Sequence, residues 1–245
     1  MQTTSQNGNP RVAIESGFAW DEQEAYLFDI DGTLLRDLSR IHMGSFVPSI
    51  QRVTGFEVTL DGIPVQGSTD TAILAAAFRQ AGIPSEVLET QWQAILEAMR
   101  LKVAEQRDQF RLALMPGVES VLAHLARKGA FLGVATGNLE AIGWIKIEEA
   151  GLREWFRFGG FSDQFPIRSE LVGHAARKAR ELAGAEARVC VVGDTPRDIE
   201  AAHANRLPVI AVATGNFSFD ALSELCPEVC ATSLADLLAQ TRGQQ

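Results

Sequence analysis

The chain has 245 residues, 46% of them hydrophobic and 22% charged, which excludes a disordered or fibrous protein and leaves room for one large domain or a core with an insertion. Twenty-two basic side chains against 31 acidic ones give a formal charge of −9, so attraction to a phosphate backbone cannot come from the molecule as a whole and nucleic acid is not an expected partner. No apolar run approaches the roughly 18 residues that a membrane-spanning helix needs, so no membrane partner is expected either.

Residues 1–20 begin polar and lack the basic and continuously apolar regions of a secretory signal. They read as a poorly ordered N-terminal leader on a cytoplasmic protein. The three cysteines, Cys190, Cys226 and Cys230, form no CxxC pair or Cys/His cluster and are expected to be reduced thiols, with Cys190 in the core.

Ala25-Tyr26-Leu27-Phe28 is a short apolar run stopped by Asp and Gly, the pattern of a buried strand in a parallel sheet. From about Arg36 to Ala113 the periodicity is helical only. Ile73, Leu74, Ala77 and Phe78 mark one face of a helix over Thr69–Ala81. Leu88, Trp92, Ile95, Leu96, Met99 and Val103 mark another over Ser85–Gln106, after the break Gly82-Ile83-Pro84.

Past Met115-Pro116-Gly117, helices and strands alternate again. The spacing predicts a helix to Lys128, strand Phe131–Ala135, helix Leu139–Ala150, strand Phe156–Phe161, helix Ser169–Leu182 and strand Val189–Val192. A helix near Ile199–Asn205, strand Val209–Val212 and helix Leu234–Gln240 complete the series. This is an α/β protein, a Rossmann-like doubly wound parallel sheet formed by 21–35 and 114–245, with residues 36–113 inserted as a helical cap domain.

Ligands of such sheets bind beyond the carboxyl ends of the strands. Asp29 and Asp31 follow the first strand, Thr136-Gly137-Asn138 the second, and Gly193-Asp194 with Asp198 the fourth. That many carboxylates at one edge repel unless a cation neutralises them, and oxygen donors without His or Cys favour Mg²⁺ over zinc. With a phosphate held there, one aspartate can attack phosphorus while a second moves protons; Asp29, nearer the strand, is the better nucleophile and Asp31 the better acid/base. Simpler readings coexist with these: Thr136-Gly137-Asn138 also suits a helix cap, and Asp194-Thr195-Pro196 suits a capped N-terminus with Pro at its first position. No role is assigned to His42, His124, His174 or His203, and Thr214-Gly215-Asn216 reads as a loop.

Asp29-Ile30-Asp31-Gly32-Thr33, Val134-Ala135-Thr136-Gly137-Asn138 and Val192-Gly193-Asp194-Thr195-Pro196-Arg197-Asp198 resemble, in order, the motifs of the haloacid-dehalogenase-like hydrolase superfamily, and specifically its phosphoglycolate-phosphatase-like members. The resemblance covers nearly all of the chain after residue 24. It implies that Asp29 is nucleophile and metal ligand, and that Asp31 is acid/base with its backbone carbonyl on the metal. It further implies that Asp194 completes the ligands, that Asp198 supports the metal or its waters, and that Thr136, Gly137 and Asn138 bind phosphate, Thr136 through its hydroxyl and N–H.

The family supplies a lysine in one segment between its second and last motifs, and none stands in the matching stretch from Phe158 to Leu171; Arg168, at a helix start, takes its place, with Lys178 as the fallback. Arg36, Arg40, Arg52, Arg79 and the segment Gly67-Ser68-Thr69-Asp70 are candidates for contacting the organic part of the substrate. The implied activity is Mg²⁺-dependent hydrolysis of a small phosphorylated metabolite through an aspartyl-phosphate, by a monomer or homodimer. Dehalogenation is disfavoured because Asp31 is present, and phosphonate hydrolysis because the cap region holds only Lys102. A sugar phosphomutase and a catalytically weak binding or regulatory module are the alternatives.

Overall fold

The computed structural model describes residues 11–242. In chain order these form β1 (Val12–Ile14), β2 (Ala25–Phe28), β3 (Leu35–Asp37), α1 (Phe46–Thr54), α2 (Asp70–Gln80), α3 (Ser85–Glu105), β4 (Leu112–Leu114), α4 (Val118–Arg127), β5 (Phe131–Ala135) and α5 (Glu140–Glu149). They continue through β6 (Phe158–Gly160), α6 (Arg168–Ala183), β7 (Val189–Gly193), α7 (Pro196–Ala204), β8 (Val209–Val212), α8 (Phe219–Ser223), β9 (Val229–Ala231) and α9 (Leu234–Arg242).

Seven strands make one sheet in the order β1-β9-β8-β7-β2-β5-β6, parallel throughout except for β1 at the edge. All four residues of β2 are buried, and their period of two splits them between opposite faces. Tyr26 and Phe28 join an apolar layer with Val134, Val192 and residues of α4 and α9, whereas Ala25 and Leu27 join one with Leu171, Ala175 and Ile199 of α6 and α7. Burial on both faces explains why these strands read as continuous apolar runs.

The expected leader differs from the structure. Residues 1–10 lie outside the described residues, but from Arg11 onward the chain is ordered, and Val12–Ile14 pairs with β9 as an antiparallel edge. The run is too short and too exposed to announce itself by alternation. The borders of the insertion differ as well: residues expected to be purely helical include β3 and β4, which pair antiparallel, Leu35 with Leu114 and Asp37 with Leu112. This two-stranded ribbon is the double crossing between sheet and cap.

The cap buries Phe46, Ile50, Ile73, Leu74, Phe78, Ile95, Leu96 and Met99, and the same apolar cluster takes in Leu139, Ile142 and Ile145. Those last three belong to α5 and the turn before it. The cap therefore uses a helix of the sheet domain as one wall of its own core. Among the described residues no helix is long and apolar enough to cross a membrane.

Candidate active site

β2 lies between β5 and β7, so the ends of the three central strands converge. The Asp29 N–H donates to the Val192 carbonyl at 2.9 Å, extending the ladder one residue beyond β2. The chain then turns sharply, Leu34 and Leu35 both donating to the Ile30 carbonyl. Gly32 has φ +91°, and a Cβ there would stand 2.3 Å from an Asp194 carboxylate oxygen. Only glycine satisfies both demands.

Asp194 ends β7. Its Oδ1 accepts from the Thr33 hydroxyl at 2.9 Å, while the Thr214 hydroxyl donates to the Gly32 carbonyl at 2.6 Å. The segment Thr214-Gly215-Asn216 is a loop, as its sequence suggests, and it closes against Asp194: a Cβ on Gly215 would lie 1.8 Å from Oδ2. Asp198 forms a capping box with Thr195 at the start of α7, its Oδ2 accepting from the Thr195 N–H at 3.0 Å and hydroxyl at 2.7 Å, with Pro196 first in the helix. The capping reading is thus correct, and it orients a carboxylate of the site.

Arg168 begins α6, and its guanidinium crosses to the strand ends. It stands 2.9 Å from Asp29 Oδ2, donates to Asp198 Oδ1 at 2.5 Å from one nitrogen and 3.0 Å from another, and donates to the Gly67 carbonyl of the cap at 3.1 Å. Lys178 donates instead to the Gly159 carbonyl at 3.3 Å and does not line the cavity.

Carboxylate oxygens of Asp29, Asp194 and Asp198 lie within 4.8 Å of one another, all buried. Burial pushes the Asp29 carboxyl up to about 6, against the pull of Arg168 and with Asp198 and Asp31 adding to it. Burial likewise holds Asp194 well above the ordinary carboxylate range, with Asp198 and Asp29 next in effect. Burial alone lowers the Arg168 pKa, but Asp198 and Asp29 more than reverse that, so it stays charged. Three carboxylates around one guanidinium remain under-neutralised, and an all-oxygen donor set suits a hard divalent cation.

Asp31 lies in a separate environment. Its Oδ2 accepts from the Lys146 ammonium at 2.6 Å and from the Asn138 amide at 2.9 Å, and its side chain keeps 41% exposure toward the cavity. Desolvation acts to raise its pKa, but Lys146 and then His42 outweigh it, leaving the carboxyl below its ordinary value. Lys146, in α5, is 1% exposed, and its other two contacts are Asn138 Oδ1 at 2.8 Å and His42 Nδ1 at 3.0 Å. His42 Nε2 meets Asp70 Oδ2 at 2.9 Å, and that oxygen also accepts from the Leu139 N–H at 2.8 Å. The chain Asp31–Lys146–His42–Asp70 so links the sheet edge to the first turn of cap helix α2.

Sequence reasoning missed Lys146 and His42, and it read Asp70 as a substrate contact. A signal for Lys146 existed: it falls four residues after Ile142 and seven after Leu139, on the apolar face of α5. For His42 and Asp70 there was none, because their partners come from other elements.

The second motif departs in one detail from what the resemblance implies. The Thr136 N–H donates to the Gly160 carbonyl at 3.1 Å, in the sheet ladder, so only the hydroxyl is free to donate; its oxygen accepts from the Asn138 amide at 2.7 Å. Gly137 meets the cap, its carbonyl accepting from the Asp70 N–H at 2.7 Å. Asp29, Asp31, Thr136, Gly137, Asn138, Arg168 and Asp194 line one cavity of about 320 Å³ under the cap, together with Arg36 and Arg40. Arg52 and Arg79 point elsewhere, both exposed.

This convergence of aspartates from two strand ends, a threonine from a third and a helix-borne cation beneath an inserted cap defines a class. A family model described as haloacid dehalogenase-like hydrolase matches residues 23–205, and the chain belongs to that family. It is an enzyme of the phosphatase kind. Among individual relatives, a phosphoglycolate phosphatase of Agrobacterium fabrum is 26% identical over 214 residues, 86% of this chain and 89% of that one. A hydrolase of Pseudomonas syringae shares the fold with a TM-score of 0.64 at 17% identity, over 90% of this chain and 99% of that one. A Bacteroides vulgatus protein provisionally assigned as a β-phosphoglucomutase does so at 0.62 and 20%, over 90% and 88%. The last two likenesses are of fold alone.

Proposed function

We propose that this phosphatase hydrolyses a small phosphomonoester through an aspartyl-phosphate on Asp29. The observation that carries the reading is the Arg168 guanidinium 2.9 Å from Asp29 Oδ2, at the floor of a cavity of about 320 Å³. Arg168 occupies one carboxylate oxygen and leaves the other for attack on phosphorus. As the bond from Asp29 to phosphorus forms, the bond to the leaving oxygen breaks, and Asp31, ionised at rest beside Lys146, hands to that oxygen the proton it takes up from the monoanion of the bound phosphoester. Water then attacks phosphorus and passes a proton back to Asp31, and Asp29 is released. The Thr136 hydroxyl donates to a phosphate oxygen; both N–H groups of the Asn138 side chain are taken by Asp31 and Thr136, so Asn138 orients that hydroxyl, and Gly137 lets the cap approach closely.

Mg²⁺ is the proposed cofactor, held by Asp29, Asp194 and the Asp31 backbone carbonyl, and when bound it supplies positive charge to the phosphate oxygens. Both oxygens of Asp198 are engaged by Arg168 and Thr195, which favours a supporting role for it over direct ligation. The free substrate partner is a small phosphorylated metabolite, and phosphoglycolate is the first to try, since the Agrobacterium relative carries that name.

Purified protein with Mg²⁺ should release inorganic phosphate from some member of a panel of phosphorylated acids, sugars and nucleotides, and beryllofluoride should form an adduct on Asp29. No release together with no adduct overturns the reading. Phosphate retained on the product when a bisphosphate is supplied would make the enzyme a phosphomutase instead.

A further inference from the structure

Five basic side chains line the cavity: Arg36, Arg40, His42, Lys146 and Arg168. Four of them are engaged. Arg168 serves Asp29 and Asp198, Lys146 serves Asp31, Asn138 and His42, and His42 serves Asp70. Arg36 donates from one guanidinium nitrogen to the Thr214 carbonyl at 3.0 Å. Among the described residues, the Arg40 guanidinium alone of the five meets no protein acceptor.

The backbone at Arg40 is held in an unusual way. It is one of three non-glycine residues with positive φ among those described, at 58°, and the only one of the three that lines the cavity. A left-handed arginine is strained and persists only where its surroundings impose it. Here they do: Asp37 Oδ1 accepts from the Ser39 N–H at 2.8 Å, from the Arg40 N–H at 3.1 Å, and from the Ser39 hydroxyl. The ribbon strand β3 ends in this turn, so the same three bonds that stop the strand set the direction in which Arg40 leaves it.

We propose that Arg40 is the specificity-determining residue of the site, and that the substrate carries a second anionic group, carboxylate or phosphate, which the Arg40 guanidinium receives. The proposal rests on the phosphomonoester reading above and names its substrate class. The floor of the cavity is acidic, with Asp29, Asp31 and Asp194, and the two cations beside them, Arg168 and Lys146, are already committed to Asp29 and Asp31. A substrate with two anionic ends therefore needs a further cation at the far end, and a planar fork of N–H donors suits either a carboxylate or a phosphate. About 320 Å³ is at the low end for ligand pockets, which limits the spacer between the two groups to a few atoms.

The test compares three substrates of one skeleton, 2-hydroxyethyl phosphate, phosphoglycolate and ethanediol bisphosphate, with p-nitrophenyl phosphate as a reference. Wild-type kcat/KM is expected to favour at least one of the two doubly anionic substrates over the hydroxyethyl compound by about 100-fold, and which one wins identifies the second group as carboxylate or phosphate. Arg40→Ala should collapse that ratio toward unity, mainly through KM, and Arg40→Lys should restore part of it. If the wild type turns over the reference but treats all three alike, or if Arg40→Ala leaves the ratio intact, the assignment of Arg40 is wrong and the hydrolase reading stands. If nothing releases phosphate, the hydrolase reading fails and the assignment falls with it.

Discussion

Asp29 and Asp31 are two residues apart, yet they belong to two regions held by different means. Asp29 faces the crowded end, where Asp194 and Asp198 surround it and a single guanidinium from α6 is shared. Asp31 faces the cap, where a buried ammonium from α5 has it, among the described residues, as its only carboxylate partner. Burial pushes both carboxyls up; at Asp29 it prevails over the pull of Arg168, whereas at Asp31 Lys146 and His42 outweigh it, so one is raised and the other lowered. The contrast suits the proposed division of work, since a nucleophile relieved by an arriving cation and an acid/base steadied by a fixed one need different surroundings.

The largest way to break the comparison is to neutralise each aspartate in turn. Asp29→Asn is expected to lower kcat by about 10⁴-fold or more, because the nucleophile is gone. It should nevertheless raise the melting temperature of chelator-treated protein, because it removes a charge from a repulsive cluster. Asp31→Asn should lower kcat by about 10²- to 10⁴-fold and also lower the melting temperature, because it leaves Lys146 buried without its carboxylate. Steady-state kinetics and calorimetry on the two variants check this, and equal shifts in melting temperature would refute the contrast.

Lys146→Met tests the second region from the other side. Asp31 can turn to water, so the stability loss should be about 1–3 kcal/mol rather than the larger cost of a fully buried orphan. On activity, a misplaced acid should hurt an alkyl phosphate about tenfold more in kcat/KM than p-nitrophenyl phosphate, whose leaving oxygen needs little protonation. A uniform loss on both substrates would mean that Lys146 only supports the fold.

Arg168→Lys tests the first region. The guanidinium reaches Asp29, Asp198 and the Gly67 carbonyl at once, and an ammonium cannot reproduce that fork. A fall of about tenfold in kcat is expected, with Mg²⁺ affinity retained; wild-type rates in the lysine variant would show that charge alone matters.

The smallest expected effect is on pH. Without a divalent cation, Asp29 in the folded protein keeps its proton to about pH 6, above its ordinary range, and Asp194 is shifted the same way. The folded state then binds more protons than the unfolded chain in that window, so stability should decline as pH rises from 5 to 7. Saturating Mg²⁺ should raise the melting temperature more at pH 7 than at pH 5. A chelated protein whose melting temperature climbs over this range would contradict the raised values.

Much of this was legible in the chain itself. Ala25–Phe28 and Val189–Val192 are apolar without interruption because both faces of those strands are covered, and the polar residues that follow them mark the sheet edge where ligands bind. Asp29, Asp31, Asp194 and Asp198 could be counted from that rule, and Arg168 from the missing lysine. The ribbon of β3 and β4 was not legible, since three-residue strands carry too little periodicity to separate from flanking helix. Neither was the edge strand β1, which exists only because β9 offers it a partner.

By itself, then, the sequence determined which aspartates meet at the strand ends, because the order of buried strands and the position of each stop are local properties. How those aspartates are charged was settled only by the fold, through residues that other elements bring to them. Lys146, His42 and Asp70 come from α5, the cap approach and α2, separated in sequence by up to 104 residues. Such pairings depend on packing between distant elements, where burial and the nearest opposite charge, rather than residue type, set the state of a carboxylate.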